Sequence, residues 1–338
     1  MKKKLYPLFF IAALSLTACG GKEYSPKDYF TRSLQYRPGF KILQLTDIHI
    51  SDKDDQDKHY AFLDLLIKDA NKDSSDPVDL IVVTGDLFTF ASRGTAKKFF
   101  NFLDSYEIPW TVVFGNHDEQ TYFSVDWLSD YLNEFGSYCY FKDYKDDNVQ
   151  GNCNFAINIM SGSAIHDQLI FMDSNRYSFY EKDYAGYDYF KDDQIKWYEN
   201  LVTYTRDNLN GGATVNSLMF YHIPLFEIDE AYEKGTVIYD GPKGNGDGKR
   251  ENTCPPKYNS GFFRNAITKL GSTKAMFFGH DHINTFEADL DGVKFCYGIK
   301  STDRIYFDED LLGYQTIKIN DDHSLKIDRS FHTYSEVK

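Results

Sequence analysis

The sequence predicts an α/β fold in which two packed β-sheets are flanked by helices, an αββα arrangement. Three observations predict it. In the first half of the chain apolar β-like runs alternate with stretches of helical spacing, the order of a parallel sheet covered by helices. In the last quarter, strand-like runs follow one another across short turns, the pattern of antiparallel strands. The 26 Tyr and 28 Phe among 338 residues supply the bulk for a large core, so one domain accounts for most of the chain.

The elements follow in order. A strand at Lys41–Thr46 leads through the acidic loop Asp52–Asp57 to a helix near His59–Asn71, where Phe62, Leu65, Leu66 and Asp69 keep helical spacing. A strand at Leu80–Thr84, a helix over Thr95–Ser105, a strand at Trp110–Phe114 and a helix near Val125–Glu134 complete the alternating half. Strands at Gln168–Met172, Leu218–Tyr221 and Ala275–Phe278 are joined by helices near Asp192–Asn208 and Phe262–Leu270. The tail runs Thr285–Leu290, Val293–Gly298, Tyr314–Ile319 and Leu325–Phe331. Turns at Asp291-Gly292 and Asn320–His323 predict an antiparallel meander there. Residues 229–257 are rich in Gly, Pro and charge with little apolar periodicity, and are expected to be a mobile insertion, a lid or a plain surface loop. Neither Asp240–Gly248 nor Asp52–Asp57 has the spacing of an EF-hand loop, so the latter reads as a solvated loop.

The N-terminus is an address. Lys2, Lys3 and Lys4 precede the apolar stretch Leu5–Leu16, too short for a comfortable membrane span and suited to a secretory signal. It ends in Leu16-Thr17-Ala18-Cys19-Gly20, which resembles the lipobox of bacterial lipoproteins. That resemblance implies a signal peptide over 1–18, lipidation of Cys19, a tether over 19–38 and a domain over 39–338. It also implies export and a lipid anchor in a bacterial cell envelope, with no membrane contact beyond the lipid. Removing the signal makes the formal charge of −14 more negative by three. So acidic a chain excludes broad electrostatic binding of nucleic acid, which depends on clustered Lys and Arg. A small anionic substrate stays possible where local metal charge overrides the global field. An exported protein can oxidise its cysteines. Cys139 and Cys153 flank an Asp-rich turn and suit a hairpin disulfide, although spacing does not fix the pairing, and Cys254 and Cys296 are free or paired.

Five segments carry metal-binding residues, most of them directly after an apolar run: Asp47-Ile48-His49, Gly85-Asp86, Gly115-Asn116-His117-Asp118, His222 and Gly279-His280-Asp281-His282. In α/β proteins ligands gather where strands end and their loops converge. Singly, Asp86 and Asn116 read as turn residues, His222 as a core histidine, and His280 and His282 as polar strand ends. No structural requirement demands Asp47, His49, Asp86, Asn116, His222, His280 and His282 together in this order. His59, His166, His323 and His332 lie outside the motifs and read as surface or satisfied interior residues.

These segments, in order, resemble the calcineurin-like metallophosphoesterase superfamily, whose pattern is DxH, GD, GNH(D/E), a lone His and GHxH. The match spans about Lys41 to Gly298. Gly115-Asn116-His117-Asp118-Glu119, Phe171-Met172-Asp173-Ser174, His222-Ile223-Pro224-Leu225, Asn259-Ser260-Gly261 and Gly279-His280-Asp281-His282-Ile283-Asn284 resemble the branch related to purple acid phosphatases. One position departs. Where purple enzymes place an iron-binding tyrosine three residues after the bridging Asp, this chain has Thr89, preceded by Phe88. A ferric-phenolate centre is therefore not expected, and the choice among Mn, Fe and Zn stays open.

The resemblance implies two metal ions, one on Asp47, His49, Asp86 and His282, the other on Asp86, Asn116, His222 and His280, with Asp86 bridging. It implies hydrolysis of a small phosphate ester, most simply a monoester, by a metal-bridging hydroxide that attacks phosphorus. Asn116 would help to neutralise the phosphoryl oxygens, and His117 would protonate the leaving group. Asp118 either orients His117 or is a surface charge, and Arg176, Lys191 and Arg304 are candidates for holding the phosphate. The alternatives are a phosphodiesterase acting on nucleotides or lipid head groups, and a surface lipoprotein that binds without turnover.

Overall fold

The computed structural model describes residues 30–136, 138–181 and 184–337. The signal 1–18, Cys19 and the first part of the tether lie outside them. The first half runs β1 (Phe30–Gln35), β2 (Phe40–Leu45), α1 (Gln56–Ala70), β3 (Leu80–Thr84), α2 (Arg93–Asp104), β4 (Trp110–Val113) and α3 (Val125–Asn133). There follow β5 (Phe155–Ser161), β6 (Ala164–Phe171), β7 (Tyr177–Glu181), β8 (Tyr184–Tyr187), α4 (Asp192–Tyr204), β9 (Ser217–Phe220), α5 (Ile228–Lys234) and β10 (Thr236–Tyr239). The chain closes with α6 (Thr268–Leu270), β11 (Thr273–Phe278), β12 (Glu287–Leu290), β13 (Val293–Tyr297), β14 (Gly313–Ile319) and β15 (Leu325–Phe331). Helices α1, α2 and α3 start where Asp55, Ser92 and Ser124 accept hydrogen bonds from Lys58, Thr95 and Trp127 N–H, satisfying donors the first turn leaves open.

Two sheets form the body: eight strands in the order β1-β5-β6-β9-β11-β13-β12-β10, and five in the order β15-β14-β2-β3-β4. Strands β2, β3 and β4 are parallel, as are β6, β9, β11 and β13, so their C-terminal ends open onto a common rim. Alternation along the large sheet divides its side chains between two cores. Ile157, Leu169, Phe171, Leu218, Phe220 and Phe277 join Ile42, Leu80 and Val82 in the core that links the sheets. Ala156, Ile170, Met219, Tyr221 and Met276 face Trp197, Tyr198 and Leu201 of α4 and Phe263 on the other side. Both faces are buried, which is why the strands read as unbroken apolar runs. A ladder of rings crosses four neighbouring strands in the inner core. Phe155–Phe171, Phe171–Phe220 and Phe220–Phe277 stack at 4.7, 5.2 and 5.2 Å between centroids, each such pair adding about 0.5–1.5 kcal/mol beyond area burial.

Several expectations are corrected. The tether does not reach residue 38: Phe30–Gln35 is an edge strand paired in parallel with β5. The tail is not one meander. β12–β13 is a hairpin of the large sheet and β14–β15 a hairpin of the small one, with Ile317 of β14 opposite Ile42 of β2. The segment 229–257 is tied down rather than free: it contains most of α5 and all of β10, which pairs with β12. Its far end is held by backbone N–H groups, as Ile283 donates to Glu251 and Cys254 to Asp281. All four described cysteines are free, so Cys139 and Cys153 form no disulfide. The loop Asp52–Asp57 is solvated as expected, with Asp52, Lys53, Asp55 and Asp57 exposed, and it is anchored where Asp52 accepts from Ser92 N–H and Thr95 Oγ1 and the Asp54 carboxylate meets Arg304. No described helix is long and apolar enough to cross a membrane.

Candidate metal centre

The rim receives Asp47 and His49 after β2, Asp86 after β3, Asn116 after β4, His222 after β9, and His280 and His282 after β11. Asp47, His49, Asp86 and His280 take positive φ angles of 54, 53, 51 and 80°. Such backbone is uncommon for side-chain-bearing residues, costs on the order of 1–3 kcal/mol each, and collects at functional sites. The surroundings enforce it. A Cβ at Gly115 would stand 2.2 Å from Asp86 Oδ1, and one at Gly279 would stand 2.4 Å from Asp47 Oδ2.

Six of the seven candidates form two donor clusters. Asp47, His49, Asp86 and His282 make one, Asp86, His222 and His280 the other, and Asp86 belongs to both. His222 Nε2 lies 3.1 Å and His49 Nε2 3.6 Å from Asp86 Oδ2, while His282 Nε2 lies 3.4 Å from Asp47 Oδ1. The seventh, Asn116, is buried beside them and donates through Nδ2 to the Tyr177 hydroxyl.

Proton bookkeeping shows what the cluster lacks. The Nδ1 atoms of His222 and His282 meet the carbonyl oxygens of Thr84 and Tyr306 at 2.8 Å each. A carbonyl only accepts, so both rings carry a proton on Nδ1 and, when neutral, turn a lone pair inward from Nε2. His282 Nε2 then sits 3.1 Å from His49 Nε2, and His222 Nε2 faces the Asp86 carboxylate. Asp86 Oδ2, Asn116 Oδ1, His222 Nε2 and His280 Nε2 are buried without a hydrogen-bond partner. Each such atom costs about 1–3 kcal/mol if left alone. Acceptors gathered this way fit cations, and the imidazole, carboxylate and amide mixture suits Zn, Fe or Mn.

Electrostatics agree. Burial lowers His222, but the carboxylates of Asp86 and Asp47 outweigh it and raise the ring to about 9. Burial and the neighbouring His222 push His280 down to about 3. The pocket thus attracts positive charge to one ring while it keeps another neutral, as a ligand must be.

His117 stands apart. It is half-buried, its N–H donates to Asp86 Oδ1, and its Nδ1 lies 2.8 Å from Gln120 Oε1. The orienting partner is therefore Gln120 and not Asp118. Asp118 is buried and holds the loops together, accepting from the Phe88 and Gly115 N–H groups, and burial with the nearby Asp86 raises it to about 7. Thr89, at the position of the purple enzymes' tyrosine, meets His49 Nδ1 through its hydroxyl at 2.9 Å.

Sequence reasoning missed several supports. Tyr306 stacks on His282 with centroids 4.1 Å apart, Tyr187 sets its ring edge-on to His280 at 4.3 Å, and buried Lys300 donates from Nζ to the Asp47 carbonyl. Of these only Lys300 had a signal, a lysine three residues past the end of β13. The proposed phosphate cations are already paired: Arg304 with Asp54, Lys191 with Asp188, and Arg176 with Glu119. Arg176 and Lys191 nonetheless line a cavity of about 420 Å³ that also contains Tyr177, the partner of Asn116.

Comparison with known proteins follows the same lines. The calcineurin-like phosphoesterase family matches residues 40–284. An Arabidopsis thaliana protein described as probable inactive purple acid phosphatase 14 is 28% identical over 315 residues, 84% of this chain and 75% of its own. The phosphatase DCR2 of Saccharomyces cerevisiae is 30% identical over 291 residues, 77% of this chain and 47% of its own. A dimetal phosphatase structure from Danio rerio shares the fold at a TM-score of 0.55 and 12% identity, over 87% of this chain and 96% of that one.

Proposed function

This chain belongs to the calcineurin-like phosphoesterase family and is a metallophosphoesterase, a phosphoric ester hydrolase; from that premise we propose that it hydrolyses phosphate monoesters at a two-metal centre on the rim. One observation carries the reading. Four buried polar atoms, Asp86 Oδ2, Asn116 Oδ1, His222 Nε2 and His280 Nε2, have no hydrogen-bond partner among the described residues when the rings are neutral, His222 Nε2 facing Asp86 Oδ2 at 3.1 Å, and Asp86 is common to both donor clusters. Asp47, His49, Asp86 and His282 would hold one ion, and Asp86, Asn116, His222 and His280 the other. When bound, such a pair lowers the pKa of water and withdraws charge from phosphoryl oxygens.

The chain's own residues supply the rest. Asn116, with one N–H on Tyr177, has a second to offer a phosphoryl oxygen. His117 donates Nδ1–H to Gln120 Oε1, which leaves Nε2 to deliver a proton to the departing alkoxide. Gln120 holds the ring in that orientation.

The test is a side-by-side assay of mono- and diesters on purified protein, paired with elemental analysis. Activity on monoesters, lost on chelation and restored by Mn, Zn or Fe, is expected. Metal-loaded protein that turned over neither ester would sink the reading and favour a binding role, in line with the description of the plant relative as inactive. For its location, we propose a lipid anchor at Cys19, supported by the basic Lys2–Lys4, the apolar Leu5–Leu16 and the small residues before the cysteine. The full chain should then partition into detergent and take up labelled fatty acid, and Cys19→Ser should do neither.

A further inference from the structure

Away from the rim, His166, Asp167 and His323 form a separate group with metal-ligand atoms within 4.8 Å of one another. The Asp167 side chain, on β6, is 2% exposed, and two imidazoles converge on its Oδ2, His166 Nδ1 at 2.5 Å and His323 Nδ1 at 3.0 Å. The two rings are 4.4 Å apart. His323 lies in the turn between β14 and β15, so the donors come from both sheets. Tyr36 stacks on His166 at 3.7 Å with the planes 10° apart, and its hydroxyl donates to Asp321 in the same turn. The His166 ring is thus fixed from both sides by groups with no part in the rim chemistry.

We propose that His166, Asp167 and His323 bind a further divalent cation of the borderline class, zinc, nickel or copper, independently of the rim centre. Two imidazoles and one carboxylate are the ligand types such ions select. Metal–ligand bonds of about 2.0–2.2 Å in tetrahedral geometry set donors about 3.3 Å apart. The Asp167–His323 spacing of 3.0 Å needs only a slight opening for this, and the closer His166 contact a larger one. His323 can supply the first movement, because its side chain is 40% exposed and sits on a turn. The second is a slide of the His166 ring in its own plane along the Tyr36 face. Its exposure also leaves a position for water. A cation would compensate a carboxylate that burial holds above its ordinary range and that two imidazoles serve only as hydrogen-bond donors.

The rival is a plain hydrogen-bonded latch between the sheets, and stoichiometry separates the two. The full chain is dialysed against zinc, then against metal-free buffer, and its bound zinc is measured. His323 has a φ of +63°, so Asn, which tolerates left-handed backbone, replaces it without added strain. His323→Asn and His166→Gln should each retain one zinc fewer per chain than the parent, with phosphatase activity unchanged. His222→Ala should lose rim metal and keep the peripheral ion, so failure of the rim reading would register separately. Equal zinc in the parent, His323→Asn and His166→Gln would overturn the proposal and leave the latch.

Discussion

His117 and His222 show how environment divides one residue type into two tasks. His222 is fully buried, with Nδ1 fixed on the Thr84 carbonyl and Nε2 against Asp86. It can only be a ligand or a proton store. His117 is half-buried and linked to Gln120, and its other nitrogen is free. Replacing His117 by Ala should lower turnover of an alkyl phosphate by about 10²–10⁴-fold, the usual contribution of a positioned acid. A nitrophenyl ester, whose leaving group needs no proton, should suffer far less, and bound metal should not change. Equal losses on both esters would remove the proton-donor role. Gln120→Ala should reproduce the same substrate dependence with a smaller fall, because it disorients the ring without deleting it. Asp86→Ala, by contrast, deletes the carboxylate shared by both donor clusters, so metal and activity should disappear together.

At the scale of elements, each rim motif is a strand end followed by a backbone reversal, and the glycines keep those reversals close. Gly279 has no room for a methyl group, since a Cβ there would meet Thr46 Oγ1 at 2.0 Å and Asp47 Oδ2 at 2.4 Å. Gly279→Ala should therefore push the β2 and β11 loops apart and cut metal retention sharply while far-UV circular dichroism stays that of the parent. Unchanged metal content would show that the loops can separate freely. The same local logic explains what the sequence made legible. Leu80–Thr84 and Leu325–Phe331 are found where their apolar or alternating runs put them, and the rim motifs stand out because each follows such a run. Phe30–Gln35 has too little apolar alternation to announce a strand and exists because β5 offers it an edge. The two tail hairpins look alike in sequence, yet β13 joins β11 and β14 joins β2, a choice made by partners far away in the chain. Gln120 was invisible because a polar residue three positions after a histidine carries no periodic signal.

For the molecule as a whole, the rim works only if the two sheets stay in register, since Asp47, Asp86 and Asn116 come from one and His222, His280 and His282 from the other. Besides the shared core, an ion pair joins them. Arg329 on β15 reaches Glu287 on β12 at 2.8 Å, with both side chains 5% exposed, and its guanidinium lies 4.0 Å over the Tyr239 ring of β10. Removing one partner of a buried pair strands the other and costs about 3–5 kcal/mol. Here Lys294 also contacts Glu287, at 3.2 Å from a partly exposed position, so the carboxylate would keep some compensation. Arg329→Met should thus destabilise toward the lower end of that range, seen as a reduced denaturation midpoint with an unchanged slope. The double variant Arg329→Met, Glu287→Leu should recover much of the loss, because no buried charge is left unpaired. If the single variant were as stable as the parent, the pair would contribute nothing to holding the sheets together, and the shared aromatic core alone would carry the alignment of the rim.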